Sequence, residues 1–443
     1  MIFSSIQFLI FFLIFFISLK IFPQKQRVNI ILFSLFFYGY WDPIFILLIF
    51  FFLIFTYYFL KNAVNLKISI PVIFIPLFYF KYSFFIGNLF NFNFLSNLSY
   101  RGDLPLAISF ITFTAVAILV DVKTKKFNEK INFLTFSEFL IYFPQLIAGP
   151  ILRANELIPL LRDKIIFKSD NLKFGITLFT IGFVKKIFFA DSIANFIDPI
   201  FENPESLSPE DYFKGFLLFP LQIYFDFSGY IDMALGISKI LNINLPINFN
   251  KPYLSQSITE FWRNWHITLS QWFRDYIYIP LGGSKHGEIK LFGNLLITMS
   301  IAGLWHGASL NFILWGFLNG LFLYFEKKLS KFFNLNKFFK ILITCFIIFN
   351  LWIIFRIQEF DLMYKFLFNL YVNIKYIFYY ENILLFLITI LAVISQKYDN
   401  FQNIQQTSLK FNFSILIPIV IIILITGFAI NTGTSDKFIY FDF

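Results

Sequence analysis

The chain carries three histidines, and their settings differ. His306 sits in Leu304-Trp305-His306-Gly307, between two apolar segments, 291–305 and 308–325. A helical rise of ~1.5 Å per residue would put it roughly 24 Å from Lys290 and roughly 30 Å from Glu326. An ionisable side chain so far from other charge within a membrane stretch is expensive and marks a functional site by default. The alternative is a histidine hydrogen-bonded to a neighbouring helix. Desolvation disfavours an imidazolium, so such a ring is expected to be neutral near pH 7. It could then take the proton of a hydroxyl. Acyl transfer from a thioester to an alcohol needs that step, because a free hydroxyl is a weak nucleophile.

His266, in Trp262-Arg263-Asn264-Trp265-His266, is the candidate partner; the alternative is an interfacial histidine. Ser257-Ile258-Thr259-Glu260 has capping-box spacing, which predicts a helix from 258 to 278 ended by Pro280, Gly282 and Gly283. On it Trp262, Trp265, Leu269, Trp272 and Tyr276 form an apolar stripe, and Arg263, His266, Ser270 and Arg274 a polar one. His266 is thus expected to share a face with Arg263. The helix would lie at an interface or line a wet cavity. His286, in a glycine-rich loop, is expected to be solvated. No phosphate loop and no two-histidine zinc helix occur in the sequence, and three scattered histidines with one cysteine, Cys345, make a metal site or disulfide unexpected. Cys345 is expected to serve packing.

The elements that must hold these groups are membrane helices. Apolar residues make up 58% of the 443 and charged residues 14%, against about 25% charged in soluble proteins. No soluble fold covers that much apolar surface. Phenylalanine accounts for 71 residues, read mainly as codon bias. Candidate spans are 2–19, 28–41, 43–60, 69–90, 105–120, 134–152, 172–194, 212–237, 291–305, 308–325, 338–355, 382–395 and 413–430. Some fall short of the ~20 residues that cross a bilayer, so ten to twelve true crossings are expected. No repeat or linker divides the chain, which predicts one membrane domain over 1–443. The inserts 195–211 and 396–412 are polar, and Asp198-Pro199, Asn203-Pro204 and Ser208-Pro209 read as turns. Met1–Leu19 lacks a basic start and reads as a first span. Loops one, three and five carry nine basic residues and loops two and four carry one, which puts the N-terminus outside the cytoplasm. The net charge of +10 fits cytoplasmic loops better than nucleic-acid binding.

Several segments together resemble one family. They are Tyr142-Phe143-Pro144-Gln145-Leu146-Ile147-Ala148-Gly149-Pro150, Tyr224-Phe225-Asp226-Phe227-Ser228-Gly229-Tyr230-Ile231-Asp232-Met233-Ala234, Asn248-Phe249-Asn250-Lys251-Pro252-Tyr253, the run 262–270 and Leu304-Trp305-His306-Gly307-Ala308. The chain resembles the membrane-bound O-acyltransferases in their alginate O-acetyltransferase branch, most closely over about 140–316. Its end, Lys437-Phe438-Ile439-Tyr440-Phe441-Asp442-Phe443, is similar too, with Asp442 where Gln is expected. The resemblance implies an all-α, polytopic fold, its helices in a ring around a central tunnel. It implies that His306 is the catalytic histidine and that His266, 40 residues upstream (306 − 266), is the second signature residue. It also implies an exported, hydrolase-like partner protein.

The expectation is therefore acetyl transfer from a cytoplasmic donor, acetyl-CoA, to an exported polysaccharide across a bacterial inner membrane. No bound cofactor is expected. His306 would be the base, and His266 would orient the donor or stabilise developing charge. Arg263 or Lys251 would contact donor phosphates, Trp305 would contact substrate, and Asp226 would be a core carboxylate with a structural partner. The rivals are transfer of D-alanine or a fatty acyl chain within the same family, and a transporter or flippase. No internal repeat supports the last.

Overall fold

A computed structural model describes residues 1–98, 100, 104–146, 149–202, 207–329 and 335–430. All regular structure among them is helical, as expected of a chain that must satisfy its backbone groups within each segment in lipid. Four of these helices are long and apolar enough to cross a membrane: Pro43–Lys61, Leu66–Leu89, Lys337–Arg356 and Phe413–Ile430. Ile6–Ile21 and Tyr380–Ser395 are apolar but shorter.

The chain forms two compact units. One comprises Met1–Phe179 with Met233–Pro246, the other Thr180–Asp232 with the chain from Ile247 onward. In the first, Phe143 is the centre of an aromatic cluster. Phe11, Phe15 and Phe37 pack on its ring at 5.4, 5.2 and 5.5 Å. The Ser34 hydroxyl accepts from its amide, and the Tyr142 hydroxyl donates to Ser238 Oγ at 3.2 Å. The segment 142–146 is thus a packing element.

The expected span 134–152 is not one helix. Phe133–Ile141 stops at Tyr142, whose ψ of 106° leaves the helical region. Pro144 supplies the reason: it has no amide to donate to the Leu140 carbonyl, and its ring would clash with that carbonyl in a continuous helix. The expected turn at Asp198-Pro199 is absent too. The helix Ser192–Glu202 runs through Pro199, because the face of Ala194, Ile197 and Ile200 stays buried on both sides of it. Asn203-Pro204 lies outside the described residues, as do Ile147-Ala148, Arg101 and the closing 437–443 segment. Ser208 stands just before the helix Pro209–Ile240, its amide and hydroxyl both donating to Asp211. The insert 396–412 contains a short helix, Phe401–Lys410.

The second unit holds the histidines. In it the expected helix 258–278 is broken in two. Half of the expected capping box forms: Ser257 Oγ accepts from the Glu260 amide at 3.0 Å, but the Glu260 carboxylate accepts from the Gln256 amide, one residue before the cap, at 2.7 Å. The helix then ends at Asn264 and restarts as Ile267–Phe273. Between them His266 takes a left-handed conformation, φ 41° and ψ 55°. Periodicity along the chain does not register one residue of reversed φ, which non-glycine residues adopt only at a cost. The segment 248–250 holds the break in place: Asn250 N donates to Asn264 O and Ile267 N to Asn248 O, each at 3.0 Å.

Candidate active site

The helix Glu288–His306 ends on the histidine itself. Gly307 turns the chain, and Leu310–Leu329 runs back along the same helix. The two pack backbone to backbone. A Cβ on Gly303 would lie 2.0 Å from Phe312 O, and one on Gly316 2.1 Å from Met299 O. Gly316 and Gly320 form a G-x-x-x-G pair, the device that lets membrane helices approach closely. This places His306 at the end of a tightly registered hairpin.

One face of that helix lines a cavity of about 810 Å³, through Leu291, Leu295, Thr298, Ala302 and His306 at helical spacing. Across from it stand Trp262 and Arg263, Ser270 and Arg274, and Trp315, Glu326 and Lys327. Arg263, Arg274 and Lys327 are exposed, whereas His306 is 6% exposed. The cations therefore sit at the open part of the cavity and the histidine at its inner end. Glu326 is engaged structurally, accepting from the Thr259 amide at 3.0 Å.

The His306 ring meets aromatic rings edge-on: Trp305 at 4.8 Å, Phe355 at 5.1 Å and Trp315 at 5.2 Å. Trp315 is buried, and its indole Nε1 has no hydrogen-bond partner among the described residues. A buried indole N–H usually finds one, so it is suited to an oxygen atom of a bound molecule.

His266 does not line this cavity beside Arg263, contrary to the shared face expected of an unbroken helix. The left-handed residue turns its ring inward, edge-on against Phe227 at 4.7 Å and 86°. Asn248 Nδ2 lies 3.1 Å from His266 Nδ1. Trp305 lies between the two histidines, 6.1 Å from the His266 ring and 4.8 Å from that of His306. His266 belongs to none of the membrane-spanning helices, and burial pushes its imidazole down to about 3. It is neutral at pH 7.

The remaining candidates separate. Arg263 and His306 line the cavity, and Trp305 joins the two histidines. Asp226 is buried in an ion cluster, 2.6 Å from Lys186 Nζ, which also pairs with Asp191 at 2.8 Å. It has the partner expected of a core carboxylate and lies away from the cavity lining. A second cluster stands nearby in sequence. Lys185 Nζ lies 2.6 Å from both Asp232 and Asp399, and the Tyr224 hydroxyl donates to Asp399 at 2.7 Å. Lys251 takes a left-handed conformation before the turn Pro252–Leu254 and is not among the lining residues. His286 is exposed, as expected. Cys345 donates to Tyr253 O at 3.1 Å, a packing contact. Trp315 and Asn248 were not legible as site residues from spacing. The G-x-x-x-G step beside Trp315 and the repeated polar residues of 248–250 are the signals that could have flagged them.

A family model described as MBOAT, membrane-bound O-acyltransferase family, matches residues 36–366. The chain is 35% identical over 384 residues to a peptidoglycan O-acetyltransferase of Helicobacter pylori, covering 76% of this chain and 72% of that one. It is 40% identical over 269 residues to a "Probable alginate O-acetylase AlgI" of Pseudomonas aeruginosa, covering 59% and 50%. It is 30% identical over 245 residues to a teichoic acid D-alanyltransferase of Bacillus subtilis, covering 51% and 61%. The chain thus spans about half the length of the alginate relative and most of the Helicobacter one.

Proposed function

The chain belongs to the membrane-bound O-acyltransferase family, and from that premise we propose that it is an O-acetyltransferase moving acetyl from acetyl-CoA to a hydroxyl of a polysaccharide outside the cytoplasm. The family is membrane-bound, and the apolar helices agree with that. The relatives named for acetyl transfer to peptidoglycan or alginate support acetyl as the group and a glycan as the acceptor. An inner-membrane location with the N-terminus outside, and an exported partner that completes delivery, are part of the same proposal.

The observation that carries the reading is His306 at the inner end of an 810 Å³ cavity whose open part presents Arg263, Arg274 and Lys327. Arg274 is paired with the Asp275 carboxylate at 2.7 Å, and Arg263 is the cation that suits the phosphates of a coenzyme A donor. His306 would take the proton of the acceptor hydroxyl as its oxygen attacks the thioester carbonyl. The thiolate leaves, and the proton on His306 returns to it. His266, outside the cavity lining, would act through Trp305, whose ring touches both histidines, and so position the groups around His306. Replacing His306 by Ala should abolish acetylation of the surface polymer, measured by mass spectrometry, while the protein still inserts and folds. Undiminished acetylation would end the proposal. Transfer of D-alanine is the second reading, favoured by the similarity to the teichoic acid enzyme. Release of free coenzyme A from acetyl-CoA by purified protein separates the two.

A further inference from the structure

We infer that Asn248 sets the tautomer of His266, holding Nδ1 as a hydrogen-bond acceptor and leaving the proton on Nε2. The claim about the ring stands on geometry alone; its meaning for catalysis rests on the acyl-transfer reading above.

Asn248 is 0% exposed, so its amide group has to be satisfied inside the protein. Which way the amide points follows from Thr268. The backbone amide of Thr268 lies 2.9 Å from Asn248 Oδ1 and can only donate, and the Thr268 hydroxyl adds a second donor at 3.0 Å. The atom facing Thr268 is therefore the oxygen, and both of its lone pairs are taken. The amide nitrogen then faces His266, 3.1 Å from Nδ1, whereas Oδ1 is farther from that atom at 3.4 Å. An amide NH₂ has no lone pair to offer, so Nδ1 must accept. In a neutral imidazole the hydrogen then sits on Nε2. Burial keeps the ring neutral.

Asn248 holds the helix start as well as the ring. Its backbone carbonyl accepts from Ile267 N and its side-chain oxygen from Thr268 N, the first two amides of the helix Ile267–Phe273. Those amides have no intrahelical partner. His266, at the cap position, makes no side-chain cap bond of its own. One side chain thus ties the left-handed turn, the helix start and the imidazole together. Asn248 is a positioning residue. The two histidines thus divide the work: His306, on the cavity lining, accepts the proton, and His266, with its tautomer fixed, positions Trp305, whose ring touches both.

The test uses the full chain, labelled with ¹⁵N-histidine, in lipid nanodiscs. Three histidines make the nitrogen spectrum tractable, and His286→Gln and His306→Gln spectra assign the His266 signals by difference. The wild-type protein should show Nδ1 of His266 unprotonated and Nε2 protonated. Asn248→Asp keeps acceptors for Thr268 but replaces the NH₂ by an oxygen, which should draw the proton to Nδ1. Its acyl-transfer rate should fall roughly 100-fold, the effect of about 1 Å of misplacement carried through Trp305 to His306. A wild-type ring protonated at Nδ1, or an Asn248→Asp ring still unprotonated there, overturns the inference. The wild-type spectrum is decisive by itself should the variant not fold. It is recorded without substrate, so a different reaction class would leave it untouched, and a failed tautomer would leave the His306 result standing.

Discussion

Replacing Gly316 by alanine adds one methyl group where two helix backbones meet. The new Cβ would lie 2.1 Å from Met299 O, and ordinary contact begins at 3.4 Å, so the helices must separate by 3.4 − 2.1 = 1.3 Å. The obstacle is a helical carbonyl, which cannot rotate away as a side-chain tip could. Overpacking of this kind costs about 1–3 kcal/mol. The displacement falls next to Trp315, whose ring stands 5.2 Å from His306. A shift of about 1 Å between a catalytic group and its surroundings can lower turnover roughly 100-fold. The assay is acetyl transfer per folded protein, with thermal unfolding of the same sample in nanodiscs. Gly293→Ala is the control. Gly293 lies in the same helix as His306, and its added Cβ meets nothing within 4 Å. There alanine should stabilise by roughly 0.5–1 kcal/mol through backbone entropy and leave the rate unchanged. Opposite signs from one chemical change would locate the effect in the helix contact. Equal unfolding temperatures and equal rates for the two variants would refute the argument.

Lys186→Met should cost about 3–5 kcal/mol, because it strands Asp191 and Asp226 in a buried site. Adding Asp226→Leu to it should recover part of that loss in denaturant or thermal unfolding. Arg263→Gln should raise the KM for acetyl-CoA several-fold with a smaller change in kcat, while Lys251→Gln, outside the cavity lining, should leave both near wild type. Equal effects of the two substitutions on KM would remove Arg263 from the donor site.

Much of this protein is legible in its sequence, for reasons local to each segment. Apolar runs report helices in a membrane because the bilayer sets their composition segment by segment. The Ser257 cap on the Glu260 amide forms because both partners lie within a turn. His306 stands out because a titratable group in an apolar stretch carries a cost wherever that stretch packs. The tertiary structure decided the rest. The break at His266 depends on Asn248 and Asn250, which lie up to 18 residues away and supply the hydrogen bonds that hold a left-handed residue in place. The same break turns His266 away from Arg263, which helical spacing had put on one face with it. Asp226 shows the same division: its burial calls for a cation, but only packing chose Lys186, 40 residues earlier (226 − 186), over any other lysine. Local energetics fix which groups need partners, and long-range packing selects the partner.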